Sequence, residues 1–276
     1  MSRQDVSPGR QGSDTDAEPP SFDITRAHPA RVYDYWLGGK DNYEADREAA
    51  ETFIEVMPNI LAGVRANRAF LRRAVQYLAG EAGIRQFLDI GTGLPTAENT
   101  HEVAQAIAPE SRIVYVDNDP IVLAHARALL TSTPEGATAY VDADARDTGT
   151  ILEAAAEVLD FSQPISVMSL LVLQYVPDED DPRGIVSRLM DAVPSGSYLT
   201  ISDTTTDIDT ERVTDGTARL NARLGPAQST LRSRDQIARY FDGLELIEPG
   251  IVPMPQWRTL PNPLLIPVYA GVGRKP

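Results

Sequence analysis

The stretch Phe87-Leu-Asp-Ile-Gly-Thr-Gly-Leu-Pro-Thr96 reads as a buried strand that runs into a glycine turn. Gly91 and Gly93 let the backbone reverse sharply and come close to a ligand, which a Cβ would prevent. Leu94-Pro95-Thr96 stand where a dinucleotide fingerprint would carry its third glycine. Pro95 biases Leu94 away from helical geometry, so the next helix is expected to open with Thr96 as its N-cap and Glu98 in its first turn. A carboxylate there opposes a phosphate, which a helix N-terminus otherwise favours.

Outward from this turn, short apolar runs alternate with segments of helical spacing. Strands are predicted near 86–90, 112–117, 137–142, 164–171, 197–202, 244–248 and 264–272, and helices near 97–108, 119–131, 147–159, 182–193, 208–224 and 233–242. Two further amphipathic helices, 44–57 and 60–81, precede the turn. Strand and helix in strict alternation specify an α/β fold, a doubly wound and mainly parallel sheet of Rossmann-like type with helices on both faces. The last two strands are joined by the Pro-rich loop PGIVPMPQWRTLPNP without a helix, so the last strand is expected to be antiparallel. Seven strands and N-terminal helices result. Residues 1–22 are polar and without periodicity, and read as a disordered tail. Residues 23–83 read as a lid and helices packed on a core of residues 84–276, a single domain overall.

Composition narrows the function. The chain of 276 residues carries a net charge of −15, which argues against nucleic acid, whose binding is driven by Lys and Arg. It contains no cysteine, so disulfides, thiolate zinc sites and cysteine nucleophiles are excluded. No apolar segment reaches the roughly 18 residues of a membrane span, and the first 22 residues lack the apolar region of a secretory signal. The cytoplasm is the simplest address. Only Lys40 and Lys275 are lysine, which removes most lysine-based chemistry.

The ligand is read from the acids behind the turn. The strand Ile113-Val-Tyr-Val-Asp117 ends in a carboxylate 24 positions after Gly93, near the spacing at which an acid meets ribose hydroxyls in NAD and S-adenosylmethionine sites. The next strand runs into Val141-Asp-Ala-Asp-Ala145, where Asp144 is placed to accept from an adenine amino group. Asp89, Glu98, Asp117 and Asp144 together suit a ligand carrying a sulfonium and an ammonium better than one carrying two phosphates. The plainer alternative is that Asp117 and Asp144 cap the helices that follow them.

The blocks HPARVYDYWLGGKDNYEADRE, VRANRAFLRRAV, QFLDIGTGLPTAENTHEVAQ, VYVDNDPIVLAHARALL and FDGLELIEPGIVPMPQWR resemble a class I S-adenosylmethionine-dependent methyltransferase, and more narrowly an actinobacterial methyltransferase-like family of largely unassigned activity. The likeness runs over about residues 22–273. It implies that Asp89, Gly91, Thr92 and Gly93 hold the methionine part, Asp117 the ribose hydroxyls, Asn118 the adjacent adenine face, and Asp144 with Ala145 the adenine edge. Gln174 stands where such proteins often carry His, so a proton-transfer role at that position is in doubt.

The segment Arg31 to Tyr43 concentrates aromatics before a Gly-Gly pair and reads as a lid whose rings line an acceptor pocket. Alternatively, Tyr33, Trp36 and Leu37 are the buried face of a short helix ended by Gly38. Weak candidates for a catalytic group are His28, Tyr33 and Tyr43, though a lone loop histidine such as His28 is more often solvated. His101 and His125 fall on helices and read as structural. The run Asp178-Glu-Asp-Asp181 before Pro182 reads as a set of helix caps, and no metal is expected. The signature Asn/Asp-Pro-Pro-aromatic of amino methyltransferases is absent. The leading function is methyl transfer from S-adenosylmethionine to a small-molecule acceptor. An NAD-dependent oxidoreductase and a non-catalytic S-adenosylmethionine-binding protein are the alternatives, and a homodimer could be supported by the lid helices or the Pro-rich loop.

Overall fold

A computed structural model describes residues 23–95, 98–129, 131–259 and 264–276. The expected disordered tail, 1–22, lies outside the described residues. The strands are β1 (Gln86–Ile90), β2 (Arg112–Asp117), β3 (Ala137–Asp142), β4 (Ser166–Leu170), β5 (Tyr198–Thr204), β6 (Glu245–Leu246), β7 (Val252–Pro253) and β8 (Val268–Arg274). The helices are α1 (Pro29–Leu37), α2 (Glu44–Val56), α3 (Ile60–Gln76), α4 (Thr100–Ile107), α5 (Pro120–Leu129), α6 (Thr148–Ala155), α7 (Pro182–Ala192), α8 (Thr210–Leu224) and α9 (Arg234–Ala238). A π-turn over Tyr77–Glu81 continues α3.

The sheet order is β3-β2-β1-β4-β5-β8-β6, with β7 also on β8. Strands β1 to β5 are parallel, and β8 runs antiparallel between β5 and β6. The mainly parallel sheet with an antiparallel last strand is therefore present. The expected strand 244–248 is shorter than its apolar pattern suggested. Pro249, just past its end, has no N–H to give to a ladder, and a separate two-residue pairing, β7, follows in the Pro-rich loop.

Alternation along the strands divides the core into two layers. Leu88, Ile90, Val114 and Val116 pack with Ile151 of α6 and with Ile185 and Leu189 of α7. Phe87, Ile113, Tyr115 and Met168 pack with Phe70 and Leu71 of α3 and Val103 of α4. Trp257 closes this second layer, fully buried, with its ring edge-on to Phe70 at 5.4 Å and its carbonyl accepting from Arg73 Nε at 2.8 Å.

A third cluster lies apart from the sheet. Trp36 of α1, Phe53 of α2, and Leu220 and Leu224 of α8 pack together, with the Trp36 and Phe53 rings 5.3 Å apart. Buried Asp46 ties the first two helices: it accepts from the backbone N–H of His28 and of Tyr43, both at 2.8 Å, and pairs with Arg31 Nε at 3.2 Å. Within the Arg31 to Tyr43 segment lies a short helix ended by left-handed Gly38; of Tyr33, Trp36 and Leu37 only Trp36 is buried, and Tyr33 and Trp36 line a cavity.

The helix after the glycine turn starts later than predicted. Helix α4 opens at Thr100 with Asn99 as N-cap, and Asn99 N–H donates to Glu102 Oε2 at 2.7 Å in a capping box. Glu98 sits outside the helix at φ 61° and pairs with Arg72 at 3.1 Å, so it does not face the strand ends. Thr96, the expected cap, lies outside the described residues. Among the described residues no helix is long and apolar enough to cross a membrane.

Truncating a fully buried indole removes its transfer energy and leaves a cavity, so Trp257→Ala should lower unfolding stability by about 3–5 kcal/mol. Urea denaturation followed by circular dichroism measures this, and a loss under about 1 kcal/mol would show that the Pro-rich loop is not part of the core.

Candidate functional site

The parallel register places the carboxyl ends of β1 and β2 side by side, with Ile90 opposite Val116. The turn after β1 is built on backbone. Gly91 has φ 70° and donates its N–H to the Val116 carbonyl at 2.8 Å, and a Cβ there would stand 2.2 Å from Val172 Cγ2. Thr92 Oγ1 donates to the Asp89 carbonyl at 3.2 Å. Gly93 has φ 68° and donates its N–H to Asp117 Oδ2 at 2.8 Å, which fixes the turn to the end of the neighbouring strand.

Asp89 is buried and accepts from Thr100 Oγ1 at 2.6 Å. Burial pushes its carboxyl up to about 6, against the Thr100 hydroxyl and the Arg68 charge, which favour the ionised form. Burial likewise raises Asp117, opposed by the N–H groups of Asp119 and Gly93. Two carboxylates on adjacent strands are thus kept in low dielectric, each held by hydrogen bonds to its charged form.

The third acid differs. Asp144 Oδ1 accepts from Arg146 N and Nε at 2.9 and 2.7 Å, and Oδ2 accepts from Arg146 Nη2 and Asn118 Nδ2 at 2.7 and 3.1 Å. Four donors fill the roughly four acceptor positions of a carboxylate. The Arg146 guanidinium, which also pairs with Asp180 at 2.9 Å, holds Asp144 below its usual range. Ala145 lies beside it on the same cavity wall.

Helix α1 roofs these strand ends. His28 caps it, and His28 Nδ1 lies 3.0 Å from Asp119 Oδ2, on the turn that follows Asp117. It is neither a free base nor a solvated loop residue. Tyr33 lines the cavity, donating to the Val64 carbonyl at 3.2 Å and accepting from Asn67 Nδ2 at 3.1 Å. Tyr43 begins α2 and packs with Leu94 and Ile121, away from the cavity lining. The structure therefore brings His28, Tyr33, Asp89, Gly91, Thr92, Gly93, Asp117, Asn118, Asp144 and Ala145 to one cavity and leaves Tyr43 and Glu98 outside it.

That cavity measures about 510 Å³. Gln174 lines it and accepts from the Thr204 hydroxyl. The acidic run after β4 is spoken for: Asp178 pairs with Arg232 at 2.8 Å, Asp180 with Arg146, and Asp181 caps α7 through Gly184 N–H at 2.9 Å. Among the described residues no group of three His, Asp or Glu is placed to hold a metal ion. His101 is structural, its ring 2.8 Å from the Tyr115 hydroxyl inside the core. His125 pairs with Asp41 at 3.4 Å.

Sequence reading missed three partners. Thr100 was signalled by the capping box Asn99-Thr-His-Glu102, which positions it under Asp89. The His28 to Asp119 contact and the Arg68 charge near Asp89 are tertiary and leave no local signal.

The family model described as S-adenosyl methyltransferase matches residues 15–276. A DUF574-family protein from Streptomyces avermitilis is 47% identical, with TM-score 0.87 over 91% of this chain and 98% of its own. A Thermobifida fusca protein assigned as a methyltransferase is 40% identical, with TM-score 0.84 over 95% of this chain and 99% of its own. The plantazolicin methyltransferase BpumL, solved with a desmethyl analogue and S-adenosylhomocysteine, shares the fold at 12% identity and TM-score 0.53, over 90% of this chain and 96% of its own. No protein of curated function matches.

Raising a buried carboxyl means that the folded state keeps its proton over a pH range in which the unfolded state has lost it. Stability from Asp89 is therefore lost as pH rises from about 4 to about 6, by on the order of 3 kcal/mol. Asp89→Asn should remove this slope and gain stability at pH 8, read from chemical denaturation of both proteins at pH 5 and 8. Equal slopes for the two would show that Asp89 ionises without penalty.

Proposed function

We propose, from the premise that the chain belongs to the S-adenosyl methyltransferase family, that it binds S-adenosylmethionine at the carboxyl ends of β1, β2 and β3 and methylates a small molecule. One observation carries the reading: two buried carboxylates, Asp89 and Asp117, converge with a left-handed glycine turn on one cavity.

The residues fit the group. A Cβ at Gly93 would meet nothing within 4 Å, so the turn leaves open space where a ligand can approach the backbone. Asp89 offers a carboxylate to the methionine ammonium, and Asp117 keeps lone pairs for the ribose hydroxyls beyond those used by Gly93 and Asp119. Asn118 lies against the adenine face. Asp144 and Ala145 meet its edge, which requires the half-exposed Arg146 to yield one of its bonds to Asp144. A pyrophosphate finds acids here instead of a helix N-terminus, which disfavours the NAD reading. The fold shared with a methyltransferase solved with S-adenosylhomocysteine supports the same assignment.

When bound, the donor supplies the methyl carbon: an acceptor lone pair forms the new bond, the carbon–sulfur pair stays on sulfur, and any proton on the acceptor atom leaves to water. The chain's own part is positioning and exclusion of water. Helix α1 covers the strand ends through the His28 to Asp119 contact and through Tyr33. No general base is assigned. The Tyr33 hydroxyl is already committed to Val64 and Asn67, and burial raises its pKa.

Isothermal calorimetry with S-adenosylhomocysteine should show one site, and Asp117→Asn, which keeps the shape but removes the charge, should weaken it by at least about tenfold. Absence of heat at millimolar ligand would sink the proposal.

A further inference from the structure

Away from the strand ends, the cavity is a chamber with apolar walls. Trp36, Phe53, Met57, Ile60, Leu220 and Ile266 form them. Gly63 of α3 lines the same space in close contact with one wall: a Cβ there would stand 3.1 Å from Ile266 Cγ2, so any side chain at this position displaces Ile266 or enters the chamber. A mid-helix glycine is otherwise unfavourable relative to alanine, and here the close approach to Ile266 is what it provides.

The polar groups of this half are uncharged. Thr204 is bonded to Gln174, and Asn67 is committed on both sides, to the Tyr33 hydroxyl at 3.1 Å and to Ser202 Oγ at 2.8 Å. Its titratable groups among the described residues are Tyr33 and Tyr175, both raised by burial, Tyr175 to about 12. The charged side chains that line the cavity belong to the other half. Asp89, Asp117 and Asp144 end or follow strands, His28 meets Asp119, Arg146 meets Asp144, and Arg68 reaches the Glu98 carbonyl at 3.0 Å.

Resting on the reading that the strand ends take S-adenosylmethionine, we propose that the chamber selects an uncharged, flat, mainly apolar acceptor, an aromatic ring system with hydroxyl or carbonyl substituents and no ionic group. A charged acceptor would lose its hydration among Trp36, Phe53 and Met57 with no counter-charge to replace it. Thr204 and Gln174 provide hydrogen bonding for a hydroxyl or carbonyl. The acceptor atom bonds the methyl carbon, sulfur keeps the pair of the broken bond, and the displaced proton goes to water, because both phenols of the chamber are already protonated.

The test uses 2-naphthol, uncharged at pH 7, and naphthalene-2-sulfonate, its anionic counterpart, each titrated by NMR into the full chain with and without S-adenosylhomocysteine. Naphthol should bind in both states, and the sulfonate at least about tenfold more weakly. Ile60→Lys, at a partly buried wall position, should reverse that order. Gly63→Leu should abolish naphthol binding while S-adenosylhomocysteine binding stays within about twofold, a sign that the fold is intact. Absence of naphthol binding, stronger binding of the sulfonate to the unaltered chain, or naphthol binding indifferent to Ile60→Lys would each overturn the proposal. Failure of S-adenosylhomocysteine to bind overturns the cofactor reading separately, because the naphthol titration without it still reports on the chamber.

Discussion

The site depends on keeping two carboxylates ionised inside the protein. Asp89 and Asp117 lie near the carboxyl ends of adjacent parallel strands, Asp89 opposite Tyr115 two residues before Asp117, where the packed layers on either face exclude water. An unsatisfied charge there would protonate or disrupt the fold. The neighbourhood is arranged against that outcome. The glycine turn bends back so that Gly93 N–H meets Asp117, and α4 begins late enough for Thr100 to meet Asp89. The left-handed conformation of Glu98 is part of this, since it delays the helix start to Asn99.

The roof answers a second requirement. A parallel sheet leaves its carboxyl ends open, and in this chain α1, α2 and α8 meet over them through an apolar cluster. Asp46 holds α1 against α2 by accepting from His28 and Tyr43 and pairing with Arg31. His28 carries the connection onward to Asp119, two residues beyond the acid at the end of β2. Helix α3 spans both halves of the cavity, with Gly63 in the apolar chamber and Arg68 acting on Asp89. One helix thus lines both halves of the cavity.

Most of the fold was legible because most strands are buried on both faces. Strands 86–90 and 112–117 appear with the expected ends, since an apolar run bounded by Gly or Asp leaves few alternatives, and 137–142 does too although it is a partly exposed strand at the sheet edge. The edge was less legible: the expected strand 244–248 appears as strand only at Glu245–Leu246, and the short pairing at Val252–Pro253 lies beyond it in the Pro-rich loop. The start of α4 was misread because proline chemistry at position 95 was weighed above the capping box four residues later. At the cavity, the place of Asp117 was legible from its position at the end of its strand. The saturation of Asp144 by Arg146 was not, although the two are only two residues apart, because composition does not reveal which way a side chain turns. Arg232 is the clearest loss. It is buried and donates to the carbonyls of Leu173 and Val176 while pairing with Asp203, so it fixes the segment carrying Gln174, yet its partners lie 29 to 59 residues away in sequence.

The two halves of the cavity divide charge between them, and this division sets what each can accept. The strand-end half carries negative charge held in place by backbone N–H groups and a hydroxyl, a setting that suits a ligand with fixed positive charge. In the helical half, Asn67 is bonded to the Tyr33 and Ser202 hydroxyls and Thr204 to Gln174. A polar group entering it must bring its own satisfaction or find Thr204 and Gln174, while an apolar ring gains about 25 cal/mol for each Å² removed from water. Recognition on one side is therefore electrostatic and directional, and on the other it is shape and burial. On the proposed function, such a cavity would tolerate changes in the acceptor ring more readily than changes in the donor, because apolar walls discriminate weakly between rings of similar size while buried carboxylates reject any ligand that leaves them unpaired.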